Sequence, residues 1–169
     1  ETDGLTGLAN RRRFVARLAE AVALAQPVSL MMIDADHFKS INDRFGHLVG
    51  DACLRMIAKV VADQVAPVSA LVARIGGEEF GVLLAGQRLE AAHDIAGAIR
   101  RALDQVCWQK LHPELTAVTV SIGLGAGQGP LDGTGLHAQA DEALYAAKRN
   151  GRDRIETAGG PLGPRRAAS

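Results

Sequence analysis

Only two cysteines occur in 169 residues, Cys53 and Cys107, far apart and in no metal-ligand spacing. A disulfide framework is excluded, and both read as reduced core residues of a cytosolic protein. Net charge is missing too, since 19 basic residues balance 19 acidic ones. Such a chain has no general field to coat nucleic acid or an anionic membrane, so any anionic ligand must be gripped locally. No uninterrupted apolar run approaches the ~20 residues of a membrane span. No signal peptide opens the chain. A starting methionine is lacking at Glu1, which suggests a piece of something longer. Repeats and internal linkers are absent from residues 1–157, so one domain is expected there. With 47% hydrophobic residues that domain can bury a real core. Residues 158–169, rich in Gly, Pro and Ala, read as a disordered tail.

What is present is a regular alternation of patterns. Asn10 can cap a helix whose apolar residues Phe14, Leu18 and Val22 recur every four positions, with Pro27 marking the stop. Residues 28–33, VSLMMI, predict a buried strand finishing at Asp34. A short helix starts near Phe38 and breaks at Gly46. A second begins at about Gly50 and puts Cys53, Leu54, Ile57 and Val61 on one face. Residues 69–84 change to a period of two, with Gly76 and Gly77 as a two-residue hairpin turn whose central positions both need positive φ. A helix over 89–106 turns Ala92, Ile99, Leu103 and Val106 inward. Residues 115–125 predict a strand, 136–149 a helix ended by Gly151, and 152–157 a short edge strand. Phe14, Phe45 and Phe80 read as core, Trp108 and Tyr145 as packing, and residues 11–13 as a solvent or interdomain face. His93, His112 and His137 have no evident partner. The order α-β-α-α-β-β-α-β-α-β describes an α/β sandwich around a mixed sheet of about five strands.

The acidic residues give this frame a chemistry. Asp34 ends an apolar strand at the sheet rim, where ligands of α/β folds collect, and Asp36 follows on the same face. If the hairpin pairs beside that strand, Glu78 and Glu79 arrive near Asp34. Three carboxylates around one point repel unless a cation sits between them, and hard oxygen ligands suit Mg²⁺ or Mn²⁺. Plainer readings stay open for each feature. An acidic pair after two glycines can be a solvated turn, and an Asp at a strand end can cap the next helix.

Four ordered blocks carry a resemblance. GGEEF at 76–80 is similar to the GGDEF signature of bacterial diguanylate cyclases, in its GGEEF form. DGLTGLANRR at 3–12 resembles the opening block of that family, DADHFKSINDRFGHLVGD at 34–51 its metal and guanine segment, and ADEALYAAKRNGRDRI at 140–155 its closing helix and turn. The resemblance implies a GGDEF catalytic domain over 1–157 with the palm-like α/β fold of class III nucleotide cyclases and many polymerases. It implies a reaction in which two GTP molecules become cyclic di-GMP and two pyrophosphates, by attack of a 3′-hydroxyl on an α-phosphorus with two Mg²⁺ or Mn²⁺ ions per site.

By the same resemblance, Asp34, the Ala35 carbonyl, Glu78 and Glu79 hold metal, and Glu78 is the candidate to take the 3′-hydroxyl proton. Gly76 and Gly77 let the backbone approach the nucleotide. Asn42 and Asp51 stand where the family reads guanine, with His47 beside them. A carboxylate can accept from guanine N1–H and N2–H₂, a donor pair that adenine lacks. The amides of Phe38 and Lys39, at the start of a helix, favour phosphate. The Lys39 side chain suits charge developing on the transferred phosphoryl, and Lys148 and Arg152 suit the β and γ oxygens. Helix capping by Asn42 and Asp51, and a solvated basic helix end at Lys148 and Arg152, are the structural alternatives.

Two departures from the family pattern stand out. The Arg-x-x-Asp product-inhibition motif would fall at 67–70, which reads PVSA, so both charges are missing. Asp153 follows Arg152 where the family more often has Asn, with only a small effect expected. Because one pocket holds one GTP, the active form is expected to be a cytoplasmic two-fold homodimer. A missing N-terminal sensory or dimerisation region would drive the pairing. A non-enzymatic nucleotide-binding module and a purely structural dimerisation domain are the competing classes.

Overall fold

Residues 28–33 are buried without a break, which a strand achieves only in the middle of a covered sheet. In the computed structural model, which describes residues 1–24, 26–127 and 133–158, that strand is indeed central. The elements follow as α1 (Arg11–Ala23), β1 (Val28–Ala35), α2 (Phe38–Phe45), α3 (His47–Val65), β2 (Ala70–Gly76), β3 (Glu79–Ala85), α4 (Leu89–Asp104), β4 (Val120–Gly127), α5 (Gly133–Arg149) and β5 (Ile155–Thr157). The expected order is reproduced, with one added 3₁₀ turn at Trp108–Lys110. The sheet runs β2-β3-β1-β4-β5; β5 joins β4 in parallel and every other pair is antiparallel.

Alternate residues of β1 feed two cores. Met31, Ile33 and Ala35 join Phe80, Val82, Ile122 and the apolar faces of α2, α3 and α4. Leu30 and Met32 join Phe14, Leu18, Leu136 and Leu144 under α1 and α5. Asn10 caps α1 as expected, accepting from Arg13 N at 3.0 Å. On the α5 side the sheet carries glycine where helix and strand meet. A Cβ on Gly123 would run into the α5 backbone at Leu144 and Ala140, and its absence lets α5 lie directly on β4.

Several boundaries moved. Gly46, at φ 89, ends α2 and also begins α3, so α3 starts at His47 rather than near Gly50. The hairpin loop is Gly77 and Glu78, not Gly76 and Gly77. Gly76 pairs with Glu79 as the last residue of β2, and only Gly77 has positive φ. A register shift between Arg74 and Gly76 absorbs the extra residue. β4 begins at Val120 rather than Leu115; Asp36 N still donates to Thr119 O at 2.9 Å, and the residues before Thr119 lie outside the sheet. α4 stops at Asp104, and Trp108 folds back to donate Nε1 to Leu103 O at 3.2 Å.

Side-chain expectations also need correction. Cys53 is buried, and burial pushes its thiol up to about 11, but Cys107 is exposed and is not a core residue. Tyr145 is exposed, with Arg149 over its ring, rather than packed. Phe45 is half-buried against His112 at a centroid distance of 4.6 Å. His137 pairs with Asp141 at 3.6 Å and meets the edge of Phe14, so His112 and His137 both have partners. The expected tail lies largely outside the described residues.

Candidate active site

Antiparallel register decides whether the carboxylates meet. Asp34 lies directly opposite Glu79 across β1 and β3, and cross-strand partners share a face. Ala35 N donates to Glu78 O at 3.2 Å, so the loop carbonyl is tied to the end of β1. The signature turn is held from its other side as well. Arg74 donates from Nε to Gly77 O at 2.9 Å and from Nη1 to Asp3 at 3.3 Å. Asp3 in turn accepts from Thr6 N and Thr6 Oγ1. Burial pushes the Asp3 carboxyl up, but the Thr6 hydrogen bonds and the Arg74 charge more than offset it and hold it below its ordinary value. The opening block of the chain is thereby a brace for the hairpin. Nothing local in the sequence links Asp3 to Arg74, 71 positions away.

Electrostatic strain at this rim is readable in the carboxylates. Burial pushes Asp34 above the ordinary carboxylate value; the Lys148 ammonium at 2.9 Å opposes this, and Glu78 and Asp36 add to it. Glu79 is likewise raised, by burial first and then by Asp141 and Asp34. Lys148 comes from the last turn of α5, on the same face as Asp34. Among the described residues no group of three or more His, Cys, Asp or Glu side chains is placed to hold a metal ion. The donors are all hard oxygens with open positions. That fits Mg²⁺ or Mn²⁺, which are usually held by one or two carboxylates together with phosphates and water.

The other expected residues fall along α2 and the start of α3. Phe38 buries its ring in the core, so only its backbone faces the rim, and α2 opens at His37 (φ 53) with no side-chain cap. Lys39 projects into solvent and pairs with Asp43 at 3.4 Å, away from Asp34. Asn42 packs against Gly50, and its Oδ1 is buried without a hydrogen-bond partner. Asp51, next to Gly50 in the second turn of α3, is half-buried, and His47 is exposed. Arg152 is exposed at φ 63, and its side chain makes no hydrogen bond or ion pair among the described residues. The structure thus unites Asp34, Ala35, Glu78, Glu79 and Lys148 at one rim, and Asn42 with Gly50 beside Asp51. It does not bring Lys39 to the carboxylates.

A cavity of about 560 Å³ lies elsewhere, between α1 and the β2 edge, lined by Arg13, Arg17, Ala70 and Leu71 among others. No reactive pair faces it, so the carboxylate rim remains the candidate site. Asp36 was legible only as a neighbour of Asp34. It is in fact 5% exposed and accepts three hydrogen bonds, from Thr119, Ser121 and Asp153, all of them more than 80 positions away.

The family profile described as "Diguanylate cyclase, GGDEF domain" matches residues 1–154. The chain is 42% identical over 161 residues to Diguanylate cyclase DgcP of Pseudomonas aeruginosa, covering 93% of this chain and 24% of that protein. It is 38% identical over 159 residues to Probable diguanylate cyclase DgcT of Escherichia coli, covering 90% and 34%. The chain therefore spans a quarter to a third of the length of these relatives. Among solved structures, the GGDEF domain of DgcB from Caulobacter crescentus in complex with c-di-GMP superposes with a TM-score of 0.89 at 36% identity, covering 94% of this chain and 93% of that one. The chain belongs to the GGDEF-domain family of diguanylate cyclases.

Proposed function

We propose that this domain condenses two GTP molecules into cyclic di-GMP, each 3′-hydroxyl attacking the α-phosphorus of the other nucleotide with loss of pyrophosphate. The observation that carries the reading is the Asp34–Glu79 pairing at a turn tied to Ala35, which supplies an all-oxygen ligand set at the sheet rim. Asp34, the Ala35 carbonyl, Glu78 and Glu79 would hold two divalent cations, Mg²⁺ or Mn²⁺. Bound there, the cations supply charge neutralisation for the attacking and leaving oxygens. Gly76 and Gly77 bring the turn backbone close to the nucleotide. Glu78 accepts the proton of the 3′-hydroxyl. Lys148 and Arg152 bind β and γ oxygens, with Lys148 exchanging Asp34 for phosphate, and the amides of Phe38 and Lys39 add donors. The Lys39 side chain would have to swing from Asp43 to reach the phosphoryl. Asp51 accepts from guanine N1–H and N2–H₂, and Asn42, with His47 at the rim, completes the reading of the base.

A buried Asn42 Oδ1 without a partner supports that reading, because leaving such an acceptor unmade costs ~1–3 kcal/mol and a guanine donor removes the cost. Gly50 makes room for it: a Cβ there would collide with Oδ1 and stand 3.2 Å from Phe38 Cζ. Gly50→Ala should therefore weaken binding of a non-reactive GTP analogue by about tenfold in calorimetry. Binding at wild-type strength would remove Asn42 from the site.

Two pockets must face each other for two 3′-hydroxyls to react, so the active state is a two-fold homodimer of a cytoplasmic protein, with any upstream sensory or dimerisation region setting how often it forms. Pro67 and Ala70 stand where the family's inhibitory charges would be, and Ala70 lines the cavity beside α1. Product inhibition through that place is therefore absent. Calorimetry should find no tight cyclic di-GMP binding that survives mutation of the catalytic pocket, and finding it would overturn this point. The reading as a whole is tested by incubating the domain, fused to a leucine zipper to force pairing, with GTP and Mg²⁺. Chromatography should then show cyclic di-GMP. No product with tight GTP binding would make it a binding module, and neither product nor binding a structural one.

A further inference from the structure

Arg152 sits in the turn over 150–154 that follows α5, and that turn is fixed by groups from three other elements. Asp36, just past β1, accepts at Oδ2 from Asp153 N at 3.0 Å and from Thr119 Oγ1 at 2.7 Å, and at Oδ1 from Ser121 Oγ at 2.6 Å. Arg100 of α4 reaches Asp153 with one Nη2, which donates to its carbonyl oxygen and to its Oδ1, each at 2.7 Å. Ile122 N of β4 donates to Arg154 O at 2.9 Å. Between these anchors Arg152 and Asp153 both hold positive φ, 63 and 45. Non-glycine residues keep that conformation only where their surroundings impose it. A turn of this kind would relax if its clamps were cut.

Arg100 is an unlikely choice as a plain stabiliser. Its Nε is buried with no hydrogen-bond partner, a cost that offsets much of what its two short bonds contribute. What those bonds do achieve is to pin one residue. Asp153, which departs from the family's more frequent Asn, gives Arg100 a carboxylate to grip. An arginine binds phosphate well only when its planar fork is already oriented, so a fixed turn beneath Arg152 has chemical value that a loose one lacks.

We propose that Asp36 and Arg100 are positioning residues, which clamp Asp153 from two sides so that Arg152 presents its guanidinium to the distal phosphates of the nucleotide. This rests on the nucleotide reading given above. Neither residue touches the substrate itself.

The test compares the zipper-paired domain with its Arg100→Ala, Asp153→Ala, Asp153→Asn and Asp36→Asn variants and the Arg100→Ala/Asp153→Ala double variant. Calorimetry in Mg²⁺ measures α,β-methylene GTP, which carries the distal phosphates, and GMP, which does not. Arg100→Ala and Asp153→Ala should each weaken the triphosphate analogue by about tenfold, the double variant no more than either, because coupled residues are not additive. GMP affinity should stay within about twofold and Asp153→Asn within about threefold of wild type, since an amide oxygen still accepts from Arg100. Asp36→Asn should show the same selective loss, and the Arg100 arm stands by itself if that variant fails to fold. Unchanged triphosphate affinity in both alanine variants, or equal loss of GMP and triphosphate, overturns the clamp. Wild-type protein that binds neither ligand overturns the nucleotide reading instead.

Discussion

Asp34→Asn should reduce cyclic di-GMP formation by about a thousandfold while leaving the fold intact, because charge neutralisation is the main help a phosphoryl transfer receives from protein. Asparagine keeps the shape of Asp34 and an oxygen for Lys148, but removes the charge opposite Glu79. The stability effect runs the other way. Burial raises the Asp34 carboxyl above its ordinary 3.8, so its favourable contribution to folding is present below that value and is lost as pH rises through the higher folded-state value. At neutral pH the charged group is a net burden, relieved in part by Lys148. The Asn variant should therefore melt at the same temperature as wild type or higher when Mg²⁺ is absent. Activity above about a tenth of wild type, or a clear fall in melting temperature, would contradict this assignment.

Gly123→Ala should destabilise the domain by about 3 kcal/mol or more, the upper end of overpacking costs. The added methyl would sit 2.7 Å from Leu144 Cα and closer still to the backbone at Leu144 N and Ala140 O. Those atoms belong to a helix held over the sheet by Leu136, Ala140 and Leu144, so they cannot step aside singly. Gly4→Ala is the control, because an added Cβ there meets nothing within 4 Å. Urea denaturation should separate the two variants clearly. Equal midpoints would mean that α5 does not rest on β4 as closely as described, and Lys148 would lose its fixed relation to Asp34.

The parts legible in the sequence are those whose cause is local. The VSLMMI run forecast a buried strand because only a doubly covered strand is apolar nearly throughout. Asn10, Gly46 and Gly151 marked helix ends through their own side chain or φ. The proximity of Asp34 to the hairpin followed from asking where its strands would pair, and the register bears it out. The misread turn shows the limit: two adjacent glycines suggested the loop centre, but the shift at Ile75 moved it one residue on, which no local preference encodes. Lys39 could be placed on a helix start, not on a side of it. Links between residues 53 to 117 positions apart were invisible. Asp3 to Arg74, Asp36 to Asp153 and Arg100 to Asp153 each depend on the finished sheet and its covering helices.

The convergence of Asp34 with the hairpin glutamates on shared divalent cations is best tested by crystallising the domain with Mn²⁺ and α,β-methylene GTP and locating the metal by anomalous scattering. The account predicts manganese between the nucleotide phosphates and the carboxylates of Asp34, Glu78 and Glu79, and its loss from the Asp34→Asn crystal. Manganese held by phosphate alone, with all three carboxylates turned away, would contradict it.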